Sequence, residues 1–552
     1  MLPLKRTHGW ILLILFLAAC GSKKQPPKQK EIVQDVRQLD EIIVGNIADR
    51  LSYIDNNHFM EDSVPVYSSN LLQSFYEIYE NAPKWSNNGQ ASGNLKELVS
   101  YVQNAEYVGL PPKRYHAAAL AAALDQLHND REAKKDAALW ARMDVMATDA
   151  FMKLANDLHY GIAPRDSNAL RKDSVFSDMD MIEMLQAALQ SNSLETAFAN
   201  LEPKHAGYVG LKKEWKAFKD LYSQYTWDTL PSQYTDTVAF RELLANRLVQ
   251  TAHLDTTGGR KDTSAIRQAV KSFQTEFNVY PDGVAGKKTI QLLNRNMNDW
   301  FAQAAVNLDR WRKLPDSLPV RLLWVNIPAY NMELTDSNEV VLSSRVIVGT
   351  PKTRTPILIS TMTNFVLYPY WRVPYSIVFK EMLPQIKKDV GYLHKKNLEV
   401  INKDGEAVDP YSIDWSKLSK NYFPYVLRQM DGVDNSLGVM KFNFQNPYHV
   451  YLHDTNSRGL FKNSYRALSH GCVRVQQWDS LAMYLVRNDT IRHNTRDSVR
   501  TWLARGEKKQ VNFPGRLPIY IRYFTAEARD GKMQFYEDIY GEDKTLRKAM
   551  GL

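Results

Sequence analysis

The chain has 552 residues, too many for one ordinary hydrophobic core, so two to four domains are expected. With 44% hydrophobic and 24% charged residues it has the composition of a folded globular protein, which excludes bulk disorder. The net charge of +9 comes from scattered Lys and Arg with no long basic block after the first thirty residues, which argues against nucleic acid as a partner.

In chain order, the apolar run from Trp10 to Ala19 follows Lys5, Arg6 and His8 and is too short to span a membrane stably. It ends in Leu17-Ala18-Ala19-Cys20-Gly21, so residues 1–20 read as a lipoprotein export signal whose cleavage leaves Cys20 as the lipidated N-terminus. That reading makes the protein a membrane-anchored lipoprotein facing the periplasm. Residues 21–30, rich in Lys, Gln and Pro, are expected to form an extended tether. Over residues 31–237 apolar positions recur at helical spacing, starting with Ile32, Val36, Leu39 and Ile43, and Trp140 to Leu158 is long enough for a central helix. Pro111-Pro112 and Ala163-Pro164 mark turns, and pure scaffolding is the expected role of this region. Residues 238–297 alternate helical faces with the tight turn Pro281-Asp282-Gly283, and residues 298–318 supply a return helix to the scaffold. From residue 319 to 552 short β-rich runs take over: 321–327, 340–348, 365–368, 439–444, 448–453 and 519–524, with a helix starting near Asp479. A polar insertion at about 375–438 interrupts them and is a candidate lid.

The chain has two cysteines, and the export signal consumes one. Cys472 is left without a partner in an oxidising compartment, which suggests that its thiol is used, although free cysteines are commonly buried and inert. It lies in Ser469-His470-Gly471-Cys472-Val473-Arg474, downstream of His453-Asp454-Thr455. Cysteine acyl transfer needs a thiolate, a base, donors for the oxyanion and a group that orients the base, and this segment holds candidates for each role. A free thiol titrates above neutral pH, so pairing with His453 is expected to raise its thiolate fraction. Tyr451 shares the strand face of His453 and lines the pocket together with Trp371, or else both are ordinary core. The fork of donors on Arg474 suits either a substrate carboxylate or a local structural bond.

The pattern His453-Asp454-Thr455 with Ser469 to Arg474 resembles the active-site signature of the YkuD-type L,D-transpeptidase family. The resemblance extends over FYEIYENAPKW, GLPPKRYH, RVIVGTPKTRTP, YWRVPYSIVFKEMLP and YGED, all similar to the long Gram-negative subgroup. The string AVKSFQTEFNVYPDGVAGKKTIQLLN resembles the small three-helix peptidoglycan-binding domain. The implied fold is multi-domain α+β. A mainly β L,D-transpeptidase catalytic domain with a capping insertion is joined to an α-helical scaffold and a three-helix peptidoglycan-binding module. The resemblance implies Cys472 as nucleophile, His453 as base, and main-chain amides around Gly471 and Cys472 as the oxyanion hole, with Ser469, His470 and Arg474 shaping the site. Asp454 and Thr455 are carried over, with Tyr451 and Trp371, as substrate-side residues. Many smaller members carry Gly where this chain has Asp454, and the sequence does not show which main-chain carbonyl orients the base. The implied partners are peptidoglycan stem peptides and glycan, the membrane through the lipid anchor, and peptidoglycan synthases or carboxypeptidases, with no cofactor.

The implied activity is formation of 3→3 cross-links through a cysteine thioester. Three rival readings remain open. His453, His470 and Cys472 are all zinc-ligand types, though no metal is expected. The same acyl-enzyme resolved by water would give an L,D-carboxypeptidase or endopeptidase. A vestigial catalytic domain would leave a wall-anchoring lipoprotein.

Overall fold

The computed structural model describes residues 26–164, 176–225, 229–233, 236–255, 260–490 and 494–552. The export signal with Cys20 and the first five tether residues lie outside the described residues. The rest of the expected tether is not a free strand, because Pro27 is buried and the Lys28 carbonyl accepts from Arg50 Nη2 at 2.8 Å.

The chain forms two compact units. One takes the described residues up to 103, residues 112–154 and residues 176–197. It is helical: α1 (Leu39–Asn57), α2 (Ser69–Ile78), α3 (Gly93–Gln103), α4 (Ala117–Asn129), most of α5 (Ala137–Tyr160) and α6 (Asp178–Ser191). Sequence signals mark the ends of these helices. Ser68 caps α2 through the Leu71 amide, and Ser177 with Asp180 closes a reciprocal capping box on α6. The unit buries a polar cluster on α5. Asp144 accepts from the Tyr76 hydroxyl at 2.7 Å and from the amides of Lys84 and Trp85, while Thr148 accepts from the Trp85 indole at 2.9 Å. One helical turn on, fully buried His116 is held between Asp62 at 2.7 Å and Asp149 at 3.0 Å.

The second unit comprises residues 104–111, the described part of 155–175, and 198 onward. This division crosses the expected scaffold boundaries of residues 31–237. Helix α7 (Leu194–Leu201) ends in this unit, and α8 (Ala206–Tyr222) packs with α9 (Thr237–Gln250), α10 (Thr263–Glu276), α11 (Lys287–Leu293) and α12 (Met297–Arg312) around one aromatic core. Trp215, Phe218, Phe273, Phe277 and Trp300 fill that core, so the three helices of residues 238–297 share their apolar interior with neighbours. Helix α12 is buried on nearly every face. Its Asn307 exchanges hydrogen bonds with Thr525 at 2.7 and 2.8 Å, and Gln303 donates to the carbonyls of Thr525 and Tyr536. Buried amides of this kind are tolerated only when fully paired.

Nine strands form the main sheet: β1 (Arg321–Asn326), β2 (Asn331–Asp336), β3 (Glu339–Gly349), β4 (Leu358–Leu367), β5 (Met440–Phe444), β6 (Leu452–His453), β7 (Ala467–Ser469), β8 (Val473–Val475) and β9 (Lys509–Arg522). Their order is β7-β3-β8-β6-β5-β4-β9-β1-β2, and β2 also pairs with β3, so the sheet closes on itself. The expected helix near Asp479 covers Trp478–Leu485. Strand lengths depart from the sequence expectation in three places, the first being the run at 365–368, which already begins at Leu358. The run 448–453 contributes only Leu452 and His453, because the Asn446 side chain takes the amides of Tyr448 and Val450 into a turn. The closing strand starts at Lys509 and not at 519, with a bulge between Asn512 and Leu517 where Pro514 and Gly515 break the apolar alternation. Between β4 and β5 the insertion forms its own layer. It has a four-stranded sheet (Trp371–Arg372, Val426–Gln429, Leu398–Ile401, Ala407–Val408), a π-helical turn at Val378–Met382 and a separate core around Ile386, Leu393 and Trp415.

One prediction concerns His116. Burial opposes its charged form, but Asp149 and Asp62 outweigh burial and raise its pKa to about 9. A raised folded-state pKa adds stability that is complete below about pH 6.5 and fades as pH rises through 9. Urea unfolding of the wild type should therefore lose on the order of 2–3 kcal/mol between those limits. His116→Gln should flatten that slope, and a slope unchanged in the variant would assign the pH dependence elsewhere.

Candidate active site

Strands β6 and β8 run parallel, with Leu452 opposite Val473 and His453 opposite Arg474. Strand β5 pairs with β6 on the other side and sets Lys441 opposite His453. Side chains alternate along a strand, and Met440, Leu452 and Val473 are buried in the sheet's core. Tyr451, His453, Cys472, Arg474 and Lys441 therefore share the opposite face, with Cys472 and His453 as diagonal neighbours across adjacent strands.

The turn before Cys472 is pinned from several sides. Ser469 Oγ donates to the Cys472 carbonyl at 2.6 Å and accepts from the Gly471 amide at 3.1 Å. Gly471 has φ +120°, a conformation that side chains rarely adopt. Thr355 Oγ1 donates to the Gly471 carbonyl and accepts from the Gly349 amide, both at 2.8 Å. The Thr350 amide and the Thr353 hydroxyl both reach the Ser469 carbonyl at 3.0 Å. A Cβ at Gly349 would lie 2.0 Å from the Thr353 carbonyl oxygen, so this bracing loop requires glycine there. Tyr540 completes the brace, donating to the Gly349 carbonyl at 2.7 Å and accepting from the Thr355 amide at 3.1 Å.

Around the sulfur, the main chain and the hydroxyl of Tyr451 both favour the thiolate, and the Trp371 side chain of the cap acts on that hydroxyl. The rings of Tyr451 and His453 meet edge to face at 5.6 Å. Burial raises the Cys472 thiol above its ordinary range, against the lowering pull of Tyr451, Lys441 and Arg474. Burial also lowers His453, to about 3, and the charges of Arg474 and Lys441 lower it further. Main-chain groups of Asp454 and Leu437 favour its protonated form without reversing this, and Nδ1 has no hydrogen-bond partner among the described residues. Burial thus pushes both the thiol and the imidazole towards their neutral forms, against the expected gain in thiolate, because a low-dielectric pocket already holding two cations disfavours an imidazolium.

Each expected site residue has a definite place. Cys472, His453, Arg474, Tyr451 and Trp371 come together, and Ser469 and Gly471 shape the turn. The Gly471 amide already serves Ser469, so one of the two amides expected at the oxyanion hole is committed at rest. His470 turns away from the sulfur and bonds Glu381 of the π-helical turn at 2.7 Å. Asp454 and Thr455 are corrected from substrate contacts to buried supports. Asp454 is fully buried, with both oxygens held by Arg458 at 2.7 and 3.1 Å and one also by the Val439 amide, while Thr455 Oγ1 accepts from the Ser457 amide. Two residues escaped the sequence reading: Lys441, whose ammonium lies 4.1 Å from the Tyr451 ring centroid, and Glu381. The alternation Met440-Lys441-Phe442-Asn443-Phe444 already set Lys441 opposite the core face, but its register with His453 is a tertiary fact. Among the described residues no three His, Cys, Asp or Glu side chains converge as a metal-ligand set.

Two measurements test this geometry. Iodoacetamide alkylation of Cys472 should still be accelerating above about pH 9, and a plateau reached below neutrality would restore the thiolate–imidazolium pair. Asp454→Ala should lower the unfolding free energy by about 1–3 kcal/mol, mainly through the buried Val439 amide left without its acceptor. A variant of unchanged stability that binds substrate less well would return Asp454 to the substrate.

Comparison with known proteins places this geometry. Residues 70–214 match the scaffold domain family and residues 320–490 the L,D-transpeptidase catalytic domain family. A Haemophilus influenzae protein named "Putative L,D-transpeptidase" is 38% identical over 247 residues, 44% of this chain and 49% of that protein. The chain thus spans about half the length of that curated relative. Two solved structures also match: an L,D-transpeptidase from Mycobacterium smegmatis (14% identity, TM-score 0.17, 37% of this chain and 58% of that one) and an Ldtfm–avibactam carbamoyl enzyme (10% identity, TM-score 0.15, 56% and 98%). Superpositions this poor carry no argument about the fold. The catalytic-domain match spans β1 to β8, Cys472 and His453 included, so the chain carries a YkuD-type L,D-transpeptidase catalytic domain with a helical scaffold domain before it.

Proposed function

We propose that this protein forms 3→3 cross-links between peptidoglycan stem peptides through a thioester on Cys472. The single observation that carries the reading is the common face of Cys472, His453, Tyr451 and Arg474, fixed by the parallel register of β6 and β8.

With burial favouring the neutral thiol and the neutral imidazole, attack and proton transfer occur together. The Cys472 sulfur bonds to the carbonyl carbon of the third stem residue as its proton passes to His453. The oxyanion is met by the Cys472 main-chain amide and by the Tyr451 hydroxyl, released from the sulfur as the new bond forms. The carbon–nitrogen bond then breaks, the imidazolium returns the proton to the departing D-alanine amine, and a thioester remains. The amine of a second stem attacks that thioester, His453 takes its proton, and the thiol is restored. Aminolysis in place of hydrolysis requires water to be partly excluded, which suits a cap whose Trp371 acts on Tyr451 and whose Glu381 bonds His470 at the mouth.

The other parts fit a wall-remodelling enzyme. Helices α9 to α11, whose sequence resembles a peptidoglycan-binding module, would supply a glycan contact. The export signal ending at Cys20 would anchor the protein by lipid on a membrane facing the periplasm, close to peptidoglycan synthases and carboxypeptidases. Among the described residues no helix is long and apolar enough to cross a membrane.

The test is muropeptide analysis after incubation with tetrapeptide-rich sacculi. Wild type should produce 3→3 dimers, and Cys472→Ala should cut them by ~10³-fold or more while retaining wall binding. Trimmed monomers without dimers would assign the hydrolase reading, and dimers persisting in Cys472→Ala would overturn the thioester.

A further inference from the structure

The pocket holds more positive charge than its own residues balance. Lys441, His453 and Arg474 form one row across β5, β6 and β8, so the two cations flank the base one strand away on each side, about 5 Å per step. Lys441 is largely buried. Its ammonium rests on the Tyr451 ring, and no hydrogen bond or carboxylate partner for it occurs among the described residues. Arg474 is also largely buried, its Nε without a hydrogen-bond partner among the described residues. Both act electrostatically on the Cys472 sulfur. The nearby carboxylates are spent elsewhere, Asp454 on Arg458 and Glu381 on His470. Two cations withdrawn from water without a counter-ion are costly, and the cost is recovered when an anion arrives with the ligand.

Resting on the acyl-transfer reading above, we propose that Lys441 and Arg474 together form the subsite for the α-carboxylate of the single residue that leaves the donor peptide. In a donor with one residue beyond the scissile bond, that carboxylate carbon lies three bonds from the attacked carbonyl carbon, at most about 4 Å away. A carbonyl held against Cys472 therefore brings the terminal carboxylate within reach of cations on the same face. Lys441 acts here as a specificity-determining residue. It selects donors that end one residue after the attacked carbonyl, since a longer peptide sets an uncharged amide where the cations require an anion. The carboxylate also departs with the leaving residue, so the subsite is vacated before the acceptor amine arrives. An amine that is partly protonated is repelled by the same two cations until it has lost its proton, which favours the nucleophilic form.

The experiment compares three soluble donors, a tetrapeptide acid, its C-terminal amide and a pentapeptide acid, using wild type, Lys441→Met and Lys441→Arg. Formation of the acyl-enzyme is followed by mass. Wild type should prefer the tetrapeptide acid by about 10²-fold in kcat/KM over the amide and the pentapeptide. Lys441→Met should reduce that preference to a few-fold, mainly through a higher KM for the acid, and Lys441→Arg should retain most of it. Equal loss on acid and amide in Lys441→Met, with Lys441→Arg no better, would show a structural or thiol-activating role and overturn the subsite. Equal use of acid and amide by wild type would overturn it too, with acyl transfer left standing. Absence of an acyl-enzyme from every donor would overturn both readings.

Discussion

The parallel pairing of β6 with β8 is the contact on which the site depends. It involves two residues of β6, yet it decides which four side chains meet. Had the register slipped by one residue, His453 would face the core and Leu452 the pocket. The slip is prevented by the apolar members of the pair, because Leu452 and Val473 are both fully buried in the sheet's interior. Their burial, at about 1.5–3 kcal/mol each, therefore sets the position of the chemistry on the other face.

A second constraint acts on the turn that delivers Cys472. Strands this short cannot hold a turn by themselves, and the bonds that fix it come from far away in sequence: Thr353 and Thr355 after β3, and Tyr540 near the C-terminus. Asp454 does the same service for β6, tying it to Val439 and Arg458. Several conspicuous polar residues of the motif are thus structural at this site, and their hydrogen bonds stiffen the main chain around one sulfur. Such preorganisation fixes the position of the Cys472 sulfur within the folded protein.

Electrostatically the pocket differs from a thiolate–imidazolium pair. Its cations would favour a thiolate, but burial outweighs them at Cys472, and at His453 burial and cations act in the same direction. Both groups are thereby pushed towards their neutral forms, and Nδ1 of His453 has no hydrogen-bond partner among the described residues. A protonated thiol is less readily oxidised than a thiolate.

Much of this protein was legible from its residues because the relevant information is local. Helical periodicity found many of the helices before residue 312 but named none at α6 to α8, β-rich texture found six of the nine strands of the closed sheet, and Cys472 with its neighbours pointed to thiol chemistry. The polar insertion was visible as a break in the β texture between β4 and β5. What the tertiary structure alone decided is which local pieces share an environment. Lys441 joins His453 through cross-strand register, Asp454 leaves the substrate side because Gly438 and Val439 close over it, and His470 turns to Glu381. The protonation states were decided in the same way. A pKa depends on burial and on charges brought close by folding, and neither quantity exists until the chain has packed.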